Sequence, residues 1–361
     1  MSQNGEGSII RNLEPLTPDY LPENLPGREE AVEQIVQCLR PALSRRKPLH
    51  VWLYGPPGSG KTAAARLAAG KVREKSALPV AYISCWRHRS FYSVLDALIT
   101  EFRVLRAEEQ RTAARLNKLE RHLGSDPCII ILDDLDIAPL REREDMVYSL
   151  AGIGNAGLVC ISMSEKALHE LRQRVQARLN PKVVRLDSYT DREIVRMLKD
   201  RAKLSLAPGS WDKRALEQIG GLSEGSATLA IEVLRASAYA AEIERDRKIG
   251  VSHVAGARSR SLKSAGENLA ADLTPHHAAL YAIVRKERKI PSRDLQKKYL
   301  ERCRESKVSP VARRTYTKYL SSLIRAGFVR TVGSNGGSRV FEVNPAVSGC
   351  HFHHPEGSHI H

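Results

Sequence analysis

The residues with the clearest chemical meaning form one continuous segment, Gly55-Pro56-Pro57-Gly58-Ser59-Gly60-Lys61-Thr62, which fits the pattern G-x-x-x-x-G-K-T. Glycines let a loop wrap so that its backbone N–H groups face phosphates, and the N-terminus of a following helix adds positive potential. The Lys61 ammonium can reach β- and γ-phosphates, and the Thr62 hydroxyl suits Mg²⁺. A β-type run precedes the loop and an Ala-rich helical pattern follows it. The segment therefore predicts a site for ATP or ADP with Mg²⁺.

A second signal is the pair of acids that ends the apolar run 128–132. A carboxylate at the end of a buried strand beside a phosphate loop holds Mg²⁺, and we assign this role to Asp133 together with Thr62. The next acid, Asp134, would polarise the water that attacks the γ-phosphate. The alternative interpretation is that the two acids simply end an ordinary strand.

The elements that must position these residues are short apolar runs alternating with helical patterns. Brief runs of this kind are typical of strands buried on both faces of a parallel α/β sheet. They lie at 49–54, 80–84, 128–132, 158–162 and 183–186. Beyond residue 186 helix follows helix, at about 191–204, 212–219 and 226–245, which predicts a small helical domain. Thr190 and Glu193 have the spacing of a capping box for its first helix.

The positive charge is concentrated near the C-terminus. The chain has 361 residues and a net charge of +16, and its last 104 residues hold 19 lysines and arginines against 8 acids. Such asymmetry indicates an anion-binding module, most often for nucleic acid and less often for an acidic membrane surface. The alternative is a basic surface without a polyanion partner. No long apolar run or signal region is apparent, so we expect a cytoplasmic, nucleoid-associated protein without a membrane partner.

The C-terminal module has the order of a winged-helix domain: helices at about 275–288, 291–306 and 310–326, then a hairpin around 328–343. The third helix has an apolar stripe and a basic face, as expected of a helix that enters the major groove of duplex DNA. The predicted DNA contacts are Arg313, Arg314 and Lys318 on that helix and Arg330 and Arg339 on the hairpin. A protein-binding winged helix with a solvated basic face is the alternative.

The order of these parts resembles an AAA+ ATPase, and with the basic module it resembles the archaeal origin-recognition and replication-licensing initiators of the Orc/Cdc type. The matching segments are YLPENLPGREE, YGPPGSGKT, IIILDDLD and ISMSEKALHELRQRVQARLNPKVVRLDSYTDREIVRMLKDRAKLSL. The resemblance covers about residues 20–344. It implies a lid that contributes to the nucleotide site, a replicative helicase as partner, and a homo- or hetero-oligomer on DNA.

The resemblance gives the predicted fold class: α/β, with an AAA+ P-loop parallel sheet, a helical lid and a C-terminal winged-helix DNA-binding domain. The predicted boundaries are a flexible N-terminus at 1–14, the AAA+ domain at 15–186, the lid at 187–257, a linker at 258–272, the winged helix at 273–344 and a disordered tail at 345–361.

Three departures from the family pattern bear on hydrolysis. Where the family usually has Glu after the Mg²⁺ aspartate, this chain has Asp134. Met163 stands at the position of a polar sensor, often Asn, and Thr228 stands where a lid arginine is expected. Each change leaves a side chain near the γ-phosphate that is shorter or less polar than the usual one. The loss of one stabilising contact can lower the rate about 10²–10³-fold. We therefore expect ATP binding with slow hydrolysis to ADP and phosphate at most, and a nucleotide that acts as a conformational switch.

The resemblance also makes Arg178 a candidate for contacting the nucleotide of a neighbouring subunit, although a surface charge on a helix explains it equally well. The leading functional hypothesis is an initiator that recognises origin duplex DNA and helps to load the replicative helicase. One alternative is a AAA+ DNA motor, such as a branch-migration or clamp-loader-type ATPase. Another is a non-hydrolysing DNA-binding regulator of a promoter or mobile element.

Overall fold

The parts of the chain that the computed structural model describes are residues 8–17, 20–104, 111–257, 275–305, 309–325, 329–335 and 338–343. They fall into two compact units, Met1–Val254 and Ala255–His361. The predicted linker 258–272 and the predicted tail 345–361 lie outside the described residues. None of the helices in the described ranges has the length and apolar character needed to span a bilayer.

The first unit is built on a five-stranded parallel sheet with the spatial order β2-β3-β4-β1-β5. Its strands are β1 Val51–Tyr54, β2 Val80–Ser84, β3 Cys128–Asp133, β4 Ala156–Ser162 and β5 Lys182–Arg185. The predicted parallel sheet is therefore confirmed. Because all strands run in one direction, the loop after β1 and the acids after β3 emerge at the same edge, separated by the end of β4. Ligands of open α/β sheets bind at this edge.

Helices cover both faces of the sheet, since successive residues of a strand point to opposite faces. Ile129 and Ile131 of β3 pack in one apolar cluster with residues of α1 and α2, whereas Ile130 and Leu132 pack in another with residues of α3, α4 and α5. These helices are α1 Glu29–Leu39, α2 Lys61–Arg73, α3 Phe91–Glu101, α4 Thr112–Leu123 and α5 Leu140–Leu150, and the short α6 Lys166–His169 and α7 Gln173–Leu179 follow β4.

A helical lid follows the sheet, made of α8 Asp191–Ser205, α9 Lys213–Leu222, α10 Ala227–Ile243 and α11 at 251–257. The predicted capping box begins α8. The Thr190 hydroxyl accepts from the Glu193 N–H at 3.3 Å, and the Glu193 carboxylate accepts from the Thr190 N–H at 2.7 Å. Helix α8 begins at Asp191, as the capping box predicts, because this pair satisfies two N–H groups that have no partner within the helix.

Part of the stretch predicted as a flexible terminus lies against the lid. The Arg11 N–H donates to the Ser205 carbonyl at 2.8 Å, and the Ala207 N–H donates to the Ile9 carbonyl at 2.8 Å. Ile9 and Leu16 are buried. We call residues 8–17 and 20–25 the N-terminal segment. Burial of its apolar side chains and pairing of its backbone groups hold residues 8–14 in place, in contrast to the expectation of a loose end.

The second unit contains three helices, α12 Pro275–Glu287, α13 Ser292–Glu305 and α14 Arg313–Arg325. A three-stranded antiparallel sheet with the order β6-β8-β7 accompanies them, formed by β6 Lys289–Pro291, β7 Val329–Asn335 and β8 Ser338–Val343. Leu323 of α14 is fully buried beside Phe341 and Leu295 in one apolar core. The predicted helices and hairpin are present, and β6 is an additional strand that the sequence analysis did not predict.

Candidate nucleotide-binding site

The phosphate loop lies between β1 and α2 in close contact with the lid. Gly58 and Gly60 have φ of +74° and +87°, a region that favours glycine. A Cβ on Gly58 would lie 2.1 Å from the Ser226 hydroxyl oxygen, and the Ala227 N–H donates to the Gly58 carbonyl at 3.0 Å. The loop therefore needs glycine both for its backbone conformation and because the start of α10 packs directly on it.

Lys61 is the first residue of α2 and is buried. Its Nζ donates to the Gly55 and Pro56 carbonyls at 2.8 Å and 2.9 Å. Burial lowers the pKa of this ammonium, and the nearby carboxylates of Asp134 and Asp133 oppose the shift. A buried cation whose hydrogen bonds go to neutral carbonyls of its own loop is poised for a stronger anionic acceptor, which is what a phosphate supplies.

The predicted Mg²⁺ ligands are in direct contact. The Thr62 hydroxyl donates to Asp133 Oδ2 at 2.8 Å, and the Tyr82 hydroxyl donates to the same oxygen at 2.6 Å. Hydroxyl and carboxylate oxygens are the ligands that Mg²⁺ prefers, so this pair fits the ion. No motif in the sequence indicates this role for Tyr82. Burial raises the pKa of this phenol most, and the hydrogen bond to Asp133 raises it further. The phenol therefore stays protonated and orients the carboxylate.

Asp134 has a left-handed backbone conformation with φ of +50°. Burial, followed by the charges of Asp133 and Asp136, raises its pKa to about 6, while Lys61 and a hydrogen bond from Trp86 act in the opposite direction. Above this pH Asp134 is a carboxylate, the form that can accept a proton from water. Three carboxylates at one edge of the sheet also repel one another until a cation is present.

We expect Asp134→Asn to stabilise the chain without nucleotide. Because the folded-state pKa of about 6 exceeds the ordinary value of 3.8, the folded chain binds the proton more tightly than the unfolded chain. The wild type therefore loses stability as the pH rises from about 4 to about 6, and the loss is complete above that range. The variant should gain about 1–3 kcal/mol at pH 7.5 and little at pH 4. Urea unfolding across this pH range measures the difference, and a pH-independent difference would contradict the prediction.

The site continues into a cavity of about 390 Å³. The phosphate loop, Asp133 and Asp134 contribute polar groups to its lining. Residues of the N-terminal segment and the lid, most of them apolar, also line it: Leu16, Tyr20, Leu21, Leu25, Met197, Arg201 and Ile231. Polar groups for phosphates and apolar side chains for a base fit a nucleotide. The apolar part of the lining is not predicted from the sequence, where its one signal is the spacing of leucines among the prolines of residues 15–26.

Arg28 joins the loop to the start of the lid and was also missed. It is buried, and its guanidinium donates to the Ser59 carbonyl at 2.8 Å and to the Asp187 carbonyl at 2.6 Å. The guanidinium carbon lies 3.6 Å from the centroid of the Tyr189 ring, within cation–π range. Arg28 thus connects the phosphate loop with the segment that leads into α8.

Comparison with known proteins agrees with this geometry. The AAA ATPase domain family matches residues 24–161, and the Cdc6 AAA+ ATPase-type lid domain family matches residues 195–259. The ORC1-type DNA replication protein 15 of Haloarcula marismortui is 27% identical over 92% of this chain and 88% of that protein. The ORC1-type DNA replication protein 1 of Sulfurisphaera tokodaii is 26% identical over 96% of this chain and 93% of that protein. The chain therefore contains a AAA ATPase domain and a Cdc6-type lid domain, and it is similar to ORC1-type DNA replication proteins.

Solved structures have the same fold as this chain. The Aeropyrum pernix Orc1 protein, solved in complex with DNA, superposes with a TM-score of 0.81 at 24% identity, covering 93% of this chain and 94% of that one. Cdc6p from Pyrobaculum aerophilum superposes with a TM-score of 0.64 at 24% identity, covering 93% and 95% of the two chains. The predicted fold class, an AAA+ parallel sheet with a helical lid, is confirmed. The assignment of the second unit as a winged helix is consistent with these structures.

The structure brings the two predicted sensor-like positions to the cavity. Met163 and Thr228 both line it, from the end of β4 and from the first turn of α10. The Met163 side chain is 39% exposed, and its N–H donates to Asp136 Oδ2 at 3.1 Å. Arg178 lies elsewhere, on α7, with its guanidinium carbon 4.2 Å from the Tyr148 ring centroid. It does not line the cavity in the described part of the chain.

The predicted DNA contacts lie in the second unit. Arg313 is exposed at the start of α14, and Arg339 is exposed on β8. The side chains of Arg314 and Lys318 lie outside the described part of the chain. Arg330 has a partner within its own sheet, since its Nε donates to the Glu342 carboxylate at 2.6 Å. A DNA phosphate would have to compete with Glu342 for this guanidinium.

Among the described residues, one further group has the spacing of metal ligands: Glu244, Asp246 and His253 in the lid. His253 Nδ1 accepts from the Gly250 N–H at 2.9 Å, so the ring proton of the neutral imidazole lies on Nε2. That nitrogen faces the Glu244 and Asp246 carboxylates at 3.2 Å and 3.0 Å. A protonated Nε2 has no lone pair for a metal, so this tautomer does not fit a metal site.

Proposed function

We propose that the chain is an ATP-binding replication initiator that recognises origin-like duplex DNA. The observation that carries the proposal is the direct contact of a phosphate loop with a Cdc6-type lid, made by the Ala227 N–H and the Gly58 carbonyl. A nucleotide that enters the cavity adjoins the sheet, the N-terminal segment and the lid together. Its binding can therefore bias the position of the lid, which is the physical requirement for a switch.

In this proposal each residue of the site has one task. Lys61 exchanges its carbonyl partners for β- and γ-phosphate oxygens, and the loop N–H groups bind the remaining phosphate oxygens. Thr62 and Asp133 hold Mg²⁺, which when bound would neutralise phosphate charge. Asp134 accepts the proton of the attacking water, and Tyr82 orients Asp133 through its hydrogen bond.

Hydrolysis is slow because the two sensor positions offer little to the γ-phosphate. Met163 carries a thioether, a weak acceptor without a donor, and Thr228 carries a short hydroxyl in place of a guanidinium. Asp134 is one methylene shorter than the glutamate usual at this position. ATP therefore stays bound long enough to stabilise one conformation of the protein, and its hydrolysis does not drive a motor.

A double substitution tests the explanation for slow turnover. We expect Met163→Asn combined with Thr228→Arg to raise ATP turnover about 10²-fold, because each change restores a donor near the γ-phosphate. Steady-state phosphate release with Mg²⁺ is the measurement. Lys61→Ala in the same background should abolish the gain. Brisk hydrolysis by the wild type, lost in Lys61→Ala, would contradict slow turnover.

The proposal for DNA rests on charge and on the relatives. The last 104 residues carry the excess of basic residues, and the A. pernix Orc1 structure contains DNA. Arg313, Arg314, Lys318, Arg330 and Arg339 are the proposed contacts, in a winged helix at 273–344. By resemblance we further propose a replicative helicase as partner, assembly on DNA with Arg178 at a neighbour's nucleotide, and residence at the nucleoid.

Genome-wide footprinting of the bound sites tests the proposed function. We expect occupancy at a few loci where replication begins, with stronger protection when ATP is present. The matched sample is the Lys61→Ala variant, which should keep duplex binding but lose the ATP dependence. Occupancy confined to promoters or to a mobile element would contradict the initiator and identify a DNA-binding regulator instead.

A further inference from the structure

One cation of the nucleotide cavity has no role in the proposed binding of ATP. Arg66 lies on α2, one helical turn beyond Thr62, and its half-buried side chain lines the cavity. Its guanidinium makes no hydrogen bond and no ion pair with any other described residue. A guanidinium forms its strongest hydrogen bonds with carboxylates and phosphates. Without an acidic partner among those residues, Arg66 is available to a phosphate that enters the cavity.

Arg66 lies beside the predicted Mg²⁺ ligands. Its guanidinium carbon is 5.4 Å from the centroid of the Tyr82 ring, within cation–π range. The hydroxyl of that ring donates to Asp133 Oδ2 at 2.6 Å, and the Thr62 hydroxyl donates to the same oxygen at 2.8 Å. Side chains of a helix lean toward its N-terminus, so the long Arg66 side chain extends from α2 toward Thr62. The guanidinium therefore adjoins the magnesium ligands.

The γ-phosphate is the part of ATP that belongs beside these ligands. In phosphoryl-transfer sites the metal ion bridges β- and γ-phosphate oxygens. A magnesium ion held by Thr62 and Asp133 would thus bring the γ-phosphate toward Arg66, whereas ADP has no phosphate there. The two sensor-like positions, Met163 and Thr228, offer that phosphate no charge. A guanidinium can donate two parallel hydrogen bonds to one phosphate, and a cation–π contact is weak enough to be exchanged for them.

We propose that Arg66 is the γ-phosphate sensor of this chain: its guanidinium leaves the Tyr82 ring, donates to γ-phosphate oxygens and so distinguishes ATP from ADP. This inference rests on the proposed binding of ATP and adds how the chain discriminates between its two nucleotides. The charge that a lid arginine would supply in place of Thr228 comes instead from α2, on the sheet side of the cavity. With ADP bound, the guanidinium stays on the Tyr82 ring.

The first test compares Arg66→Met with Arg73→Met, which removes an exposed arginine from the same face of α2, about two turns farther on. The affinity for ATP with Mg²⁺ should fall about 10-fold or more in Arg66→Met, because hydrogen bonds to a charged acceptor are lost. The affinity for ADP should stay unchanged, and Arg73→Met should alter neither. Isothermal titration calorimetry measures the affinities. An equal loss for ATP and ADP in Arg66→Met, or no loss for either, would overturn the proposal.

The second test adds beryllium fluoride to ADP, so that the fluoride occupies the position of the γ-phosphate. A merely structural arginine would not respond to this addition. Beryllium fluoride should tighten the binding of ADP with Mg²⁺ about 10-fold more in the wild type and in Arg73→Met than in Arg66→Met. Arg66→Lys, which keeps the charge but not the fork of donors, should give an intermediate gain, and it carries the comparison if Arg66→Met does not fold. An equal gain in the wild type and in all variants would contradict the assignment.

Duplex binding and the affinities of the wild type separate this inference from the proposed function. In the expected result, Arg66→Met binds ADP and duplex DNA as the wild type does and loses only its preference for the triphosphate. If Arg66→Met weakened duplex binding without nucleotide and bound ATP and ADP like the wild type, Arg66 would belong to a DNA-binding surface and the sensor role would be wrong. If the wild type bound neither ATP nor ADP, the proposed function itself would fail, which is a different outcome from each of those above.

Discussion

Lys61→Ala is expected to weaken ATP binding by about 10²-fold or more, the largest single-residue effect in the first unit. The substitution removes two charge-assisted hydrogen bonds to phosphate oxygens, each worth about 1.5–3 kcal/mol. In the unliganded chain Lys61 donates to the Gly55 and Pro56 carbonyls. Because burial already disfavours its charged form, the melting temperature without nucleotide should change by only a few degrees. Calorimetric titration with ATP and Mg²⁺ measures the affinity.

The control for this experiment is Lys71→Ala, an exposed lysine in the last turn of the same helix. It removes the same charge from α2 and should leave ATP affinity unchanged. If both variants lost affinity equally, the effect would come from net charge and the assignment of Lys61 to the phosphates would be wrong.

Replacing Arg313 and Arg314 together with alanine is expected to have the largest effect on DNA binding. A plot of log affinity against log salt concentration has a slope that becomes less steep by about one for each phosphate contact that is lost. The double variant should therefore show a slope smaller by about 2 and an affinity lower by about 10-fold or more at low salt. Fluorescence anisotropy with a duplex at several salt concentrations measures both quantities.

The matched control is the double substitution Arg302→Ala and Arg304→Ala, at two exposed positions in the last turn of α13. It changes net charge by the same amount, so only the position differs. An unchanged affinity and slope in the Arg313 and Arg314 variant would contradict the proposed groove contact. Equal losses in both variants would show a diffuse electrostatic attraction and not a docked helix.

Features that depend on neighbouring residues could be predicted from the sequence. The phosphate loop is one continuous segment, and the capping box joins residues only three positions apart. The five strands were predicted because each is a short apolar run that must be covered on both faces. Element order then made the α/β fold and its lid predictable, and the comparisons confirmed that fold.

Local signals also misled where packing decided the outcome. The pair Gly220-Gly221 is typical of a helix end and follows the helix that the sequence predicts at about 212–219, yet α9 continues to Leu222. A Cβ on Gly220 would lie 3.0 Å from Val195 Cγ2 and 3.2 Å from the Asp191 carbonyl, so this glycine permits close contact with α8. Its small size serves helix packing within the lid, and the adjacent contacts outweigh its low helix propensity.

By itself, the sequence determined that this protein has a phosphate loop with adjacent acids and a basic C-terminal module, because these are properties of consecutive residues and of composition. Only the tertiary structure decided which distant side chains complete the site. Tyr82 donates a hydrogen bond to Asp133 from another strand, and Arg28 donates to the Ser59 and Asp187 carbonyls. Arg201 of the lid donates to a carbonyl of the N-terminal segment. These contacts join residues far apart in the chain, and no periodicity or spacing encodes such pairs. They form only when the sheet, the lid and the N-terminal segment pack around one cavity.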